Sequence, residues 1–193
     1  MRFSNDANCF ALSEAVDGAG AEYLSVFGVI IGTGTGGGVV IDKKVLAGVN
    51  SIAGEWGHNP MPGVSEERLC YCGRINCIET YLCGAGLAKS YLVAGGEAIK
   101  APEIARRAAA GEGLAETVLD TYCRQLAQAL AGVINLLDPA AIVLGGGVSN
   151  IDIIYQKVPQ YWQGFVFSDR CETQLLKAKY GDSSGVRGAA WLW

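Results

Sequence analysis

The chain's only histidine and three of its seven cysteines lie close together in sequence, between residues 54 and 80. They are His58, Cys70, Cys72 and Cys77. One imidazole nitrogen and three thiolate sulfurs make up the ligand set of a closed, tetrahedral zinc site. In a reducing compartment, such a cluster more often binds metal than forms disulfides. The spacing therefore predicts a structural zinc site. The alternative is four unrelated residues, one of them an ordinary buried histidine.

Two glutamates flank the predicted metal ligands. Glu55 lies three residues before His58, and Glu79 lies two residues after Cys77. Carboxylate oxygens are good acceptors for the hydroxyl groups of a sugar. On local sequence alone, the two residues are equally well explained as solvated glutamates at helix ends. Their position beside the predicted zinc favours a role in binding.

Two glycine-rich segments follow predicted strands. The sequence GTGTGGG at residues 32–38 lies between predicted strands at 23–31 and 39–42, where backbone N–H groups and threonine hydroxyls could face a phosphate. Glycines between strands more often serve turn geometry, and no lysine follows as it does in a P-loop. The second segment, GGG at residues 145–147, follows a predicted strand and precedes a helix expected from about Asn150. This order of strand, glycine turn and helix is typical of nucleotide sites.

Asn5 and Asp6 follow a short strand-like pair, Arg2 and Phe3. Ligands of α/β enzymes bind outside the carboxyl ends of strands, so an aspartate at a strand end is a candidate general base. A turn built on the Asn-Asp pair is the simpler explanation for these two residues in isolation.

The hydrophobic pattern predicts an α/β protein that forms one domain or one large lobe. Helices are expected at 79–93, from 101 or 102 to 110, and over a long stretch that ends at Asp138. In that stretch apolar residues recur at every fourth position, namely Leu114, Val118, Tyr122, Leu126, Leu130 and Ile134. From Thr173 onward we expect a strand, a turn and a terminal helix.

Composition restricts the class of partner. Half of the 193 residues are apolar and 18% are charged, which argues against disorder. The net charge of −4 gives no electrostatic reason to expect nucleic acid or an anionic membrane as a partner. The longest uncharged stretch, residues 23–41, is interrupted by glycines and is too short to span a bilayer, and no secretion signal is recognisable. A cytoplasmic protein with small ligands is expected.

Taken together, these motifs resemble those of the ROK family (repressors, open reading frames and kinases), most closely its bacterial fructokinases, also called mannokinases. In family order they are NDANCFALSEA, GTGTGGGVVID, AGEWGHNP, CYCGRINCIET, DPAAIVLGGGVSN and GDSSGVRGAAWLW. The resemblance implies the C-terminal lobe of an actin-like, ribonuclease H-like ATPase fold, with a zinc-stapled loop at residues 55–80. It also implies a homodimer that uses ATP to convert fructose to fructose 6-phosphate, with mannose and glucose as other candidate hexoses.

The resemblance assigns roles to individual residues. Asp6 would be the catalytic base and Asn5 a sugar contact. The other expected sugar contacts are Glu55, His58 and Glu79, with His58 also a zinc ligand. The residues expected to face the phosphates of ATP, which would bind with Mg²⁺, are Gly32, Thr33 and Gly34. Those expected to contact the adenosine are Gly145, Gly146 and Gly147.

Two departures from the family pattern are visible. Asn76 stands where the family usually has glycine before the last zinc cysteine, and we expect the turn to survive because asparagine tolerates a left-handed backbone better than most residues.

Family kinases begin with a lobe of ~100 residues whose first strand carries an Asp-x-Gly-Gly-Thr motif, and the present chain opens without it. We therefore expect this chain alone to fold around its zinc, to self-associate and to phosphorylate fructose negligibly. The alternatives are the sugar-sensing domain of a ROK transcriptional repressor and an inactive fragment.

Overall fold

The computed structural model describes residues 5–181 and 184–191, so the strand expected at Arg2 and Phe3 and the terminal Trp193 lie outside the described residues. A five-stranded mixed sheet forms the centre, with strand order β3-β2-β1-β4-β5. Its strands are β1 (Ser25–Ile31), β2 (Thr35–Ile41), β3 (Lys44–Val45), β4 (Ala141–Gly145) and β5 (Gln174–Lys177). Strand β4 is parallel to both β1 and β5, whereas β2 is antiparallel to β1 and β3. The predicted α/β class is confirmed.

Helices cover both faces of the sheet. They are α1 (Asp6–Val16), α2 (Glu79–Leu82), α3 (Gly84–Val93), α4 (Ala101–Ala109), α5 (Gly113–Leu137), α6 (Ile153–Trp162) and α7 (Ser184–Ala190). Strand side chains alternate between the two faces: Val26 and Val143 pack with α1, while Phe27 and Leu144 pack in the larger core that contains α5. Helix α7 contacts the outer side of α1, and α3, α4 and α6 contact α5.

The long helix predicted from the four-residue repeat is confirmed. Helix α5 ends at Leu137, and its C-cap Asp138 adopts a left-handed backbone with φ of 43° just before Pro139. Apart from Leu114, the residues of the predicted apolar stripe are buried. Although α5 has 25 residues, neither it nor any other helix in the described part of the chain is long and apolar enough to cross a membrane.

Three predicted elements differ from the structure. The helix expected at 79–93 is two helices separated at Cys83, whose backbone is extended and whose Sγ accepts a hydrogen bond from Gly86 N at 3.3 Å. The helix expected from Asn150 begins at Ile153, after a 3-10 helix at Gly147–Asn150. The expected glycine loop at 32–38 ends at Gly34, because β2 already begins at Thr35.

Glycines in the sheet allow α1 to lie directly on the strand backbone. A Cβ atom added to Gly28 in β1 would lie 2.7 Å from the Cα of Ala11, and one added to Gly38 in β2 would lie 3.0 Å from the carbonyl oxygen of Ala7. Both distances are shorter than an ordinary van der Waals contact. Gly38 of β2 therefore serves close helix packing and not a turn. Gly37 faces the other side of the sheet, where an added Cβ would lie 2.7 Å from the ring of Phe27.

The other side of α1 is fixed by α7 and by a buried carboxylate. A Cβ atom added to Gly188 in α7 would lie 1.6 Å from the carbonyl oxygen of Cys9, so these two helices also approach backbone to backbone. Glu14 of α1 is fully buried and its Oε2 accepts hydrogen bonds from the backbone N–H groups of Ala19 at 2.9 Å and Lys179 at 3.1 Å. These contacts define where the first residues of α1 lie.

Substitution of Gly28 by alanine tests this packing. Because the added methyl group would overlap α1, we expect Gly28→Ala to lower the free energy of unfolding by about 1–3 kcal/mol. The matched control is Gly132→Ala inside α5, where an added Cβ would meet no atom within 4 Å. Alanine is the better helix former, so the control should raise the free energy of unfolding by about 0.5–1 kcal/mol. Urea unfolding of both variants measures the difference, and equal effects at the two positions would contradict the close packing of α1.

Candidate functional site

A cavity of about 420 Å³ lies where α1, the β1–β2 hairpin and the loop before α2 meet. This volume lies within the range of small-molecule sites. Its lining residues are Asn5, Asp6, Ala7, Ile30, Thr33, Gly34, Thr35, Gly36, Glu55, His58, Tyr71 and Glu79. The structure thus brings together all five residues for which the sequence predicted a catalytic or sugar-binding role, although they are distant in sequence.

Asn5 and Asp6 lie at the start of helix α1. Asn5 is the N-cap, and its Oδ1 accepts a hydrogen bond from Asn8 N at 2.8 Å. Asp6 is exposed, and its Oδ1 accepts a hydrogen bond from Ala7 N at 2.9 Å. A carboxylate in the first turn of a helix is stabilised by the unpaired N–H groups and the helix dipole. The end of α1 therefore presents an anionic group to the cavity.

Glu55 reaches the cavity from a segment that packs on β2. Its Oε1 accepts a hydrogen bond from Asn5 Nδ2 at 3.0 Å. The next residue, Trp56, is buried and its ring meets that of Phe27 edge to face, with centroids 6.1 Å apart. Gly54 has a positive φ of 92°, and an added Cβ there would lie 2.7 Å from the carbonyl oxygen of Gly37. The segment that carries Glu55 is therefore held on the sheet by its neighbours.

Glu79 connects the loop before α2 to the β1–β2 hairpin. Its Oε2 accepts a hydrogen bond from Thr35 N at 3.0 Å, and a Cβ atom added to Gly34 would lie 2.6 Å from the same oxygen. A side chain at position 34 would displace this carboxylate from its present place. On the other side, the Sγ of Cys70 lies 3.9 Å from Glu79 Oε1.

The four predicted metal ligands form a compact cluster. The ligand atoms of His58, Cys70, Cys72 and Cys77 all lie within 4.8 Å of one another. Cys70 Sγ is 3.7 Å from His58 Nδ1, and Cys72 Sγ is 3.6 Å from Cys77 Sγ. In a tetrahedral site with Zn–S bonds of about 2.3 Å, neighbouring ligand atoms are about 3.8 Å apart. The side chains present could therefore hold a zinc-sized cation.

The electrostatics of the cluster also suit a cation. Burial, followed by the neighbouring thiols of Cys72 and Cys70, raises the pKa of the Cys77 thiol to about 12. Thiolates placed this close repel one another, so the deprotonated state of all three sulfurs needs a compensating positive charge. A bound metal ion supplies that charge and deprotonates coordinating thiols.

The turn before Cys77 forms as expected. Asn76 has a positive φ of 57°, so the predicted tolerance of asparagine for a left-handed backbone is confirmed. The side chain of Asn76 also forms two hydrogen bonds: its Oδ1 accepts from Arg68 N at 2.7 Å and from Tyr81 Oη at 2.9 Å. The asparagine therefore links both ends of the loop that carries the cysteines to α2.

A buried arginine that sequence reasoning missed holds the same loop. Arg68 is 3% exposed, and its guanidinium donates hydrogen bonds to the carbonyl oxygens of Thr80 and Gly86 and to the side chains of Glu66 and Ser90. It also lies over the ring of Tyr81, 4.2 Å from its centroid. Nothing in its sequence context distinguishes it from a solvated arginine.

The two glycine segments meet beside the cavity. Gly146 has a φ of 82°, and an added Cβ would lie 2.6 Å from the carbonyl oxygen of Ile31 and 3.0 Å from the nitrogen of Gly32. Thr33 and Gly34 line the cavity, whereas Gly32 and the segment 145–147 lie at the carboxyl ends of β1 and β4 next to it. The parallel pairing of these strands explains the juxtaposition.

Tyr71 also lines the cavity and had no predicted role. It stands between two predicted ligands, Cys70 and Cys72, and its Oη lies 3.0 Å from His58 Nε2. The only signal in the sequence was an aromatic residue between two predicted ligands, and this does not indicate which way the side chain points.

Comparison with known proteins gives a consistent result. The sequence profile of the ROK family matches residues 1–193. The chain is 43% identical over 200 residues to the N-acetyl-D-glucosamine kinase of Photobacterium profundum, covering 100% of this chain and 66% of that protein. This chain therefore spans about two thirds of the length of the curated relatives it matches.

Two solved structures share the fold. A ROK family glucokinase from Streptomyces griseus, in complex with glucose and AMPPNP, superposes with a TM-score of 0.87 at 29% identity, covering 98% of this chain and 66% of that one. A ROK family transcriptional regulator, a homologue of the E. coli MLC protein, superposes with a TM-score of 0.83 at 27% identity, covering 97% of this chain and 50% of the regulator.

Asn76 provides a test of how the loop is held. We expect Asn76→Ala to lower the free energy of unfolding by about 2–4 kcal/mol. The variant loses two hydrogen bonds. It also puts alanine in the left-handed backbone region, where alanine, unlike asparagine, has no polar side chain to hydrogen-bond locally. Asn76→Gly keeps the backbone freedom and loses only the hydrogen bonds, so its loss should be about 1–2 kcal/mol. Urea unfolding ranks the two variants. A glycine variant as stable as the wild type would show that the asparagine side chain contributes nothing.

Proposed function

Because the chain belongs to the ROK family, we propose that it carries the sugar site of a kinase that transfers the terminal phosphoryl group of ATP to a hexose. The observation that supports this most is the cavity on which Asn5, Asp6, Glu55, His58 and Glu79 meet. A site lined by carboxylates, an amide and an imidazole offers both acceptors and donors to sugar hydroxyls. We place this site in residues 1–193 as the larger lobe of such a kinase, with the metal-binding loop at 55–80.

Asp6 is the proposed general base. Its carboxylate is exposed to the cavity at the start of α1, where it can accept the proton of the attacking sugar hydroxyl. Asn5 and Glu55 are joined by a hydrogen bond and would orient the sugar beside it. Orientation of this kind lowers the barrier because the reacting hydroxyl is already held near the phosphoryl group.

The nucleotide would lie along the two glycine segments. Thr33 and Gly34 line the cavity and are the proposed contacts of the phosphates, together with Gly32. The segment 145–147 adjoins Gly32 and is proposed for the adenosine. When bound, Mg²⁺ would neutralise charge that develops on the transferring phosphoryl group.

N-acetyl-D-glucosamine is the sugar that we propose in place of fructose. The curated relatives at 40–43% identity carry the name N-acetyl-D-glucosamine kinase. The Streptomyces griseus glucokinase is in complex with glucose, which is an aldohexose like N-acetyl-D-glucosamine and unlike fructose. The expectation of fructose, which rested on the resemblance to bacterial fructokinases, has no support from these relatives.

Zinc is the proposed occupant of the cysteine cluster. Its ligand preference for three sulfurs and one nitrogen matches the donor set, and four protein ligands leave no open position for water. The site is therefore structural: it would fix the loop that presents His58 and Glu79 to the cavity. In small metal sites binding energy contributes directly to folding.

A sugar-sensing domain of a transcriptional regulator is the second candidate function. The likeness to the ROK family regulator favours it, since that protein shares the fold over 97% of this chain. A sensor needs the sugar contacts but no general base. The carboxylate of Asp6 in the cavity therefore favours the kinase.

Sugar binding and turnover together test the proposed kinase. Calorimetry with N-acetyl-D-glucosamine, glucose, mannose and fructose should show the tightest binding for N-acetyl-D-glucosamine.

In the complete enzyme, Asp6→Asn should lower kcat by about 10²–10⁴ while the sugar Kd stays within a few-fold, because a base acts in the transition state. The control is Asp42→Asn, at an exposed turn outside the cavity. Sugar binding with no ADP release by the complete wild-type enzyme would favour the sensor, and near-normal turnover of Asp6→Asn would remove Asp6 from the mechanism.

Metal content tests the zinc proposal. Protein purified without chelator should contain about one zinc per chain, and Cys72→Ser should lower both the zinc content and the thermal unfolding midpoint. The matched control is Cys171→Ser, because Cys171 is partly exposed and lies outside the cluster. A wild-type protein free of zinc by elemental analysis, with an unchanged midpoint in Cys72→Ser, would contradict the proposal.

A further inference from the structure

Tyr71 is a cavity residue to which the kinase mechanism assigns no role. Its side chain is strongly exposed, at 84%, although it belongs to a loop whose neighbouring cysteines are in the metal cluster. The phenol ring meets the imidazole of His58 edge to face, with centroids 5.3 Å apart and planes at 80°. The hydroxyl oxygen lies 3.0 Å from His58 Nε2 and is hydrogen bonded to it.

The two ring nitrogens of His58 serve different partners. Nδ1 faces Cys70 Sγ at 3.7 Å, inside the metal cluster, whereas Nε2 faces Tyr71. Only Nε2 is available to a molecule in the cavity. An imidazole nitrogen carries either one hydrogen or one lone pair, so it forms one good hydrogen bond at a time. A sugar hydroxyl can therefore bond to Nε2 only when the Tyr71 hydroxyl has left it.

The local structure allows the phenol to leave without disturbing the loop. The backbone on either side is held by hydrogen bonds from Cys70 N to Arg74 O at 2.8 Å and from Gly73 N to Cys70 O at 3.0 Å. The side chain itself is exposed, and exposed side chains change rotamer within nanoseconds. Rotation about χ1 moves the hydroxyl away while the backbone and the cysteines stay in place.

We propose that the Tyr71 hydroxyl competes with a sugar hydroxyl for His58 Nε2, so that Tyr71 limits the affinity of the cavity for sugar. This inference rests on the proposed function, because it requires a hexose that bonds to His58. A sugar that offers no hydroxyl at this position leaves the bond between Tyr71 and His58 intact. The competition therefore reduces the advantage in affinity that a sugar with a hydroxyl at this position has over a sugar without one.

Tyr71→Phe removes the competing hydroxyl and keeps the ring. A hydrogen bond at a solvated site contributes a modest net free energy, so we expect the Kd for N-acetyl-D-glucosamine measured by calorimetry to fall about two- to tenfold. The matched control is Tyr180→Phe, which removes a phenol hydroxyl bonded to Asp17 O at 3.1 Å, outside the cavity. The Kd of Tyr180→Phe for N-acetyl-D-glucosamine should equal that of the wild type.

The single histidine of the chain provides an independent readout. In a ¹⁵N spectrum of the imidazole, the Nε2 resonance of His58 should differ between wild type and Tyr71→Phe without sugar. At saturating sugar the two resonances should coincide, because the same sugar hydroxyl then bonds to Nε2 in both proteins. Tyr180→Phe should match the wild type under both conditions.

The possible outcomes separate this inference from the proposed function. Tighter binding by Tyr71→Phe with coincident Nε2 resonances at saturation supports the competition. Equal or weaker binding by Tyr71→Phe, or resonances that still differ at saturation, overturns the competition and leaves the sugar site intact. Failure of both wild type and Tyr71→Phe to bind any of the four sugars overturns the proposed function and the competition with it.

Discussion

The close approach of α1 to strands β1 and β2 is the constraint on which the cavity depends. Gly28 and Gly38 lack side chains where the backbone of α1 passes, and the helix would lie farther from the sheet if either carried a Cβ. The opposite side of α1 is in backbone contact with α7 at Gly188. Helix α1 is thereby fixed on both sides, and its first residues, Asn5 and Asp6, lie over the hairpin at the edge of the cavity.

The remaining walls of the cavity depend on side chains that connect separate segments. Glu79 accepts a hydrogen bond from Thr35 and so ties the start of α2 to the hairpin. Arg68 and Asn76 tie the cysteine loop to α2 and α3 through four backbone or side-chain partners on those helices. These are polar contacts with fixed directions, which restrict orientation more than apolar packing does. The acceptors around the cavity are preorganised by them, as discrimination between hydroxyl patterns requires.

Much of this arrangement could be predicted from the sequence, and the exceptions have physical causes. The cluster of His58, Cys70, Cys72 and Cys77 could be predicted because it combines the chain's only histidine with three closely spaced cysteines. Glu55 and Glu79 are a common residue type, and only their position beside that cluster made them candidates. Helix α1 was missed because the nine residues from Ala7 to Ala15 are all buried, which removes the polar face that makes a helix recognisable. Gly36, Gly37 and Gly38 were assigned to a loop because glycine usually marks a turn. The packing on the two faces of β2 explains why the strand needs them: α1 lies against Gly36 and Gly38, and Phe27 and Gly54 lie against Gly37.

Arg68 and Tyr71 show a different limit of sequence reasoning. Arginine is usually solvated and tyrosine is common in exposed loops, so neither residue type is informative where it stands. The roles of both follow from their neighbours in the folded chain. Arg68 donates hydrogen bonds to the carbonyl oxygens of Thr80 in α2 and Gly86 in α3. Tyr71 lies beside the imidazole of His58. Both belong to the loop that carries the cysteines.

His58 connects the histidine-cysteine cluster to the cavity, because one ring nitrogen faces Cys70 and the other faces the cavity residue Tyr71. The direction of Nε2 is determined by the placement of Nδ1 among the sulfurs, so any cation that orders the cluster also orders the hydrogen bond offered to a ligand. The ring of Tyr71 lies on the other side of the same imidazole and is exposed, whereas Cys70 and Cys77 are buried. His58 therefore has the cysteine sulfurs on one side and the exposed Tyr71 on the other. In the proposed competition, the strength of the bond between Tyr71 and Nε2 determines how readily Nε2 becomes available to a sugar.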